Sequence, residues 1–84
     1  MSGAVARIWR DAGVAHIDVR GLPPPQPLIE IIRLIESGEA GEEVIVHHDR
    51  EPLLLYPELD ERGWTHEIIA HSPGEVLLRL ARAT

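Results

Sequence analysis

His48 and Asp49 are adjacent in this 84-residue chain. An imidazole beside a carboxylate is the simplest pairing here that can move a proton near neutral pH. Arg20 and Arg50 add guanidinium groups that can grip a carboxylate or phosphate with two parallel hydrogen bonds. Asp18 supplies a second carboxylate two positions before Arg20. These residues support three readings: an acid–base or metal centre on His48 and Asp49, an anion or partner site, or a salt-bridge network Asp18–Arg20–Asp49–Arg50 that holds two turns together. His48 and Asp49, joined by His66 or His71, would offer the nitrogen and oxygen donors that zinc or iron accept. The spacing matches no metal motif, so no metal or other cofactor is expected. His47 and His48 cannot easily share one ion, because consecutive residues of a strand point to opposite faces.

Other chemistries are excluded by residue type. The chain has no cysteine, so no thiol nucleophile and no disulfide. All eight basic residues are arginine, which removes Schiff-base chemistry on lysine. Ser2, Ser37 and Ser72 are the only serines, and none stands at a strand-to-helix nucleophile turn. A net charge of −6 argues against a nucleic-acid partner. No apolar run approaches the length that spans a bilayer, and the start lacks a secretory pattern, so a cytoplasmic protein is expected.

The positioning elements follow from hydrophobic period and turn chemistry. Ala15-His16-Ile17-Asp18-Val19 alternates as a half-buried strand. Gly21 allows the chain to turn, and four prolines follow within five positions. Proline stops a strand but is tolerated where a helix begins, so a helix is expected over about 25–37, with Leu28, Ile31, Ile32 and Ile35 on its apolar face. Val44-Ile45-Val46-His47-His48 reads as a second strand, parallel to the first because a helix intervenes. Asp49-Arg50-Glu51-Pro52 repeats the first junction in miniature. A second helix with a bend at Pro57 is expected next, ending at Gly63. Trp64 to Ala70 and Val76 to Ala81 read as two strands of a hairpin turning at Ser72-Pro73-Gly74. In this order His66 is a partly buried structural residue and His71 lies in a solvated loop.

The expected architecture is a two-layer α/β sandwich, β-α-β-α-β-β, with a four-stranded mixed sheet and two helices on one face. Residues 1–13 are an N-terminal extension or edge segment, and residues 14–84 a single domain. The carboxyl ends of parallel strands lie side by side, which gathers Asp18, Arg20, Pro24, His48, Asp49 and Arg50. The uncovered sheet face, with His16, Asp18 and His47, mixes polar and apolar groups and is the expected surface for a protein partner or self-association.

Asp18-Val19-Arg20-Gly21-Leu22-Pro23-Pro24-Pro25-Gln26-Pro27 resembles the opening signature of the TusA/SirA-like sulfur carriers, Asp-x-Arg-Gly-Leu-x-Cys-Pro-x-Pro. Every fixed position agrees except the cysteine, which here is Pro24. The resemblance implies the β-α-β-α-β-β two-layer fold. It does not carry sulfur transfer with it, because the cysteine holds the persulfide. The chain is more similar still to a cysteine-less branch regarded as a domain of unknown function. It shares that branch's His-Asp-x-x-Pro-Leu element, here His48 to Leu53 followed by Tyr56, its aromatic-containing third strand and its turn before the last strand. Members of that branch occur beside hemerythrin-like or redox modules, which implies a metal, nitrogen-oxide or respiratory setting. The expectation for function is a non-catalytic binding or protein-interaction module; the alternative is a small metal-dependent or acid–base enzyme on His48 and Asp49.

Overall fold

The computed structural model describes residues 6–83. Seven elements follow in order: β1 (Arg7–Asp11), β2 (Val14–Asp18), α1 (Gln26–Glu36), β3 (Glu43–His48), α2 (Leu55–Glu61), β4 (Trp64–Ser72) and β5 (Glu75–Arg82). The strands form one mixed sheet in the order β1-β2-β3-β5-β4. β2 and β3 pair in parallel, and the other three pairings are antiparallel.

The sheet therefore has five strands, not four. The additional strand is β1, which the sequence left open as an edge segment. Arg10-Asp11-Ala12-Gly13 supplies a tight reversal, with positive φ at Ala12 and Gly13, that folds β1 back on β2. Residues 1–5 of the expected N-terminal segment lie outside the described residues.

Strict alternation fixes the layers. Ala15, Ile17 and Val19, then Val44 and Val46, then Val76, Leu78 and Leu80 project to one face and are buried with Trp64. Ile31, Leu34 and Ile35 of α1 and Leu55 and Leu59 of α2 complete the same core, so both helices cover that face. The buried stripe of α1 is turned slightly from the expected one. Leu34 is in the core, whereas Leu28 and Ile32 sit at its margin. α2 has no bend. It begins at Leu55, so Pro57 falls within the first turn, where a missing N–H costs no intrahelical bond.

The C-terminal hairpin corrects two further expectations. β4 runs through His71, which is a strand residue paired with Val76. A register shift between Ile68 and Ala70 breaks the alternation and brings His71, opposite Val76, to the helix-bearing side that His66, opposite Leu80, already shares. His66 is exposed and lies flat on the Tyr56 ring, with centroids 3.6 Å apart and planes at 3°. Tyr56 donates to Glu51 at 3.0 Å. Burial and the Glu51 carboxylate push its phenol up to about 12. No helix of the described residues is long and apolar enough to cross a membrane.

Candidate functional site

The parallel pairing of β2 and β3 brings two strand-to-helix junctions together. Val19 donates its N–H to the His47 carbonyl at 3.0 Å, extending the pairing one residue past β2. Gly21, at φ 83°, then turns the chain toward α1. The first junction runs across the sheet end as Leu22 and the prolines. The second, His48 to Leu54, lies alongside it.

Between them is a cavity of about 300 Å³. Its walls are mostly apolar: Leu22, Pro24, Pro25 and Pro27 from the first junction, with Pro52 and Leu53 to Leu55 from the second. Leu53 and Leu54 are 65% and 80% exposed and form a protruding rim. His48, Asp49, Arg50 and Glu51 contribute the polar part of the lining.

His48 is the one buried polar residue of the described chain, at 3% exposure. Its place follows from the alternation of β3, whose odd partner His47 points to the other face. The backbone N–H groups of Asp49 and Arg50 donate to its Nδ1 at 2.9 and 3.3 Å. Asp49 Oδ1 also approaches Nδ1, at 3.1 Å. One nitrogen cannot both accept from two N–H groups and donate to a carboxylate. The two donors fix Nδ1 as the acceptor and place the ring hydrogen on Nε2. Among the described residues Nε2 makes no hydrogen bond, yet no buried side-chain nitrogen or oxygen among them lacks a partner. Nε2 is therefore not fully enclosed, and His48 is one of the residues that line the cavity. Burial holds the imidazole below its ordinary pKa, against the pull of Asp49.

Asp49 ties the junctions together by another route. Its Oδ2 accepts the Gly21 N–H at 3.1 Å, and that bond is the main reason its carboxyl sits below the usual carboxylate range. Arg50 approaches Asp49 at 3.6 Å from a largely exposed position. Asp18 and Arg20 are brought close but do not line the cavity. Arg20 makes a two-pronged pair with Asp18, at 3.0 and 2.9 Å, and reaches Glu75 at 3.2 Å. The Arg20 pair holds Asp18 below its ordinary pKa. The anticipated network Asp18–Arg20–Asp49–Arg50 is thus joined through the Gly21 backbone and not through an Arg20–Asp49 pair. Glu75 escaped sequence reasoning, because only the insertion of β5 next to β3 carries it to Arg20.

The helix starts offer few N–H groups for an anion. Pro23, Pro24, Pro25 and Pro27 of the α1 junction carry no N–H, and Gln26 and Ile29 donate to Pro23 and Pro25. Leu53, Leu55 and Tyr56 donate to Glu51, Pro52 and Leu53 in the same way. His66 and His71 stay with β4 and do not join His48 and Asp49. Among the described residues, no three His, Asp or Glu side chains converge to hold a metal ion.

A wider groove of about 600 Å³ runs between the helices, lined by Leu28, Ile29, Ile32 and Arg33 of α1 and by Glu58. Leu28 belongs to both hollows, so the apolar surface continues from the junction cavity along α1.

A family model described as an uncharacterised conserved protein (DUF2249) matches residues 16–82. No curated protein and no solved structure matches the chain.

Proposed function

The chain belongs to the DUF2249 family of uncharacterised conserved proteins, and on that premise we propose that it is a binding module whose site is the cavity between the two junctions. The occupant is an apolar group carrying one hydrogen-bond acceptor, either a side chain of a partner protein or a small molecule. The observation that carries this reading is a mostly apolar hollow with the buried His48 in its lining, whose Nε2–H is the donor we assign to the occupant. The exposed Leu53 and Leu54 beside it extend the contact outward. In this reading the fold is that of the sulfur carriers. Pro24 then replaces the transferable thiol with an inert wall of the cavity, and the site holds its occupant without reacting with it.

An acid–base centre on His48 and Asp49 is the competing reading, and its support is their 3.1 Å approach. A working dyad needs the carboxylate to accept a hydrogen from Nδ1, and Nδ1 is occupied by two backbone donors. Asp49 meanwhile caps Gly21. Both facts favour binding.

Titration with p-cresol, an apolar ring with one hydroxyl, followed by amide and imidazole NMR shifts, tests the proposal. Saturable changes confined to Leu22, His48 and Leu53 to Leu55, weakened severalfold in Leu54→Asp, are expected. Changes spread over the inter-helix groove, or none, would refute it.

A further inference from the structure

The helix-free face carries a second group of rings that the junction site does not use. Trp9 of β1, His16 of β2 and His47 of β3 stand on three neighbouring strands. Their ring centroids are 5.2 Å (Trp9–His16), 5.1 Å (Trp9–His47) and 5.3 Å (His16–His47) apart. Register places them there: Trp9 pairs with His16, and His47 pairs with Asp18, two residues further along β2. His16 Nδ1 and His47 Nε2 face each other at 3.0 Å.

We propose that His16 and His47 form a two-imidazole seat for a divalent transition-metal ion, zinc or copper(II), on the open face of the sheet. Two nitrogens bound to a tetrahedral zinc at about 2.0–2.1 Å lie about 3.3 Å apart. The observed separation is within a few tenths of an ångström of that span, so small ring movements suffice. The hydrogen now shared between the rings moves to the far nitrogen of its own ring when the ion enters. The ion thus enters by a tautomer change in one ring.

The frame is rigid, since β2 and β3 are paired on both sides. Trp9 lies near-parallel to His16, at 21°, and shields that ring. The local charge is mixed. Asp18 and Glu75 attract a cation toward His47, whereas Arg20 opposes it. Arg7 sits over Trp9 at 5.3 Å. Two protein ligands leave two positions for water or an external donor, so the site is an exchangeable one. It is separate from His48, which the alternation of β3 sends to the opposite face.

Zinc and copper(II) titration of untagged protein, by calorimetry and by NMR of the histidine rings, decides the matter. One ion per chain is expected, with the largest ring shifts at His16 and His47 and affinity reduced roughly tenfold or more by His16→Ala or His47→Ala. Copper(II) should quench Trp9 emission in a Trp64→Phe background. Ring shifts in the unaltered protein do not depend on the variants folding. No saturable binding, or binding centred on His48, His66 or His71, would overturn the assignment.

Discussion

At the scale of single residues, His48 and Asp49 do different work although they touch. His48 is buried and held by two backbone donors. Its folded pKa is lowered, as is that of His47. A base whose pKa falls on folding contributes stability that is complete above its unfolded value, near 6.5, and is lost as pH falls through the lower folded value. Chemical denaturation should therefore show stability declining below about pH 6.5, by up to about 1.4 kcal/mol per pH unit for each histidine that titrates. His48→Gln should flatten that decline. Asp18 and Asp49 have depressed carboxyl pKa values, and their contribution disappears in a separate window below about 3.8. Asp49 acts through Gly21. Asp49→Ala should cost about 1–2 kcal/mol in urea unfolding by releasing that N–H and unlinking the junctions, and Asp49→Asn should recover part of it.

At the scale of elements, the junctions were legible in the sequence because proline and glycine act locally. The run Gly21 to Pro27 and the alternation in β2 and β3 place Pro24, His48, Asp49 and Arg50 around one hollow. β1 was legible only in part: Arg7 to Asp11 alternates weakly, and its pairing depends on the positive-φ reversal at Ala12 and Gly13. The bulge in β4 and the arrival of Glu75 beside Arg20 depend on which strands become neighbours, and local pattern does not encode that. α2 has seven residues, too few to be stable alone, so its docking rests on Leu55 and Leu59. Leu59→Ala should destabilise the protein by roughly 2–5 kcal/mol in denaturant titration. It should also loosen the cavity wall built by the preceding residues. Leu54→Asp, at the exposed rim, should leave stability within about 0.5 kcal/mol while weakening p-cresol binding.

At the scale of the molecule, the sheet separates two environments. One face buries the core against both helices and ends in the junction cavity. The other carries the Trp9, His16 and His47 rings, with Arg79 paired to Glu43 and Glu67 beyond them. Alternation assigns His47 to one environment and His48 to the other, although they are adjacent in sequence. The claim that the cavity is a binding site with a neutral donor rests on the state of one ring in the intact fold. Long-range proton–nitrogen NMR of the His48 imidazole at pH 7 reads that state directly. The account predicts a neutral ring with its hydrogen on Nε2, and a change at that nitrogen when p-cresol is added. A hydrogen on Nδ1 facing Asp49, or an imidazolium at pH 7, would contradict it and return the site to acid–base chemistry.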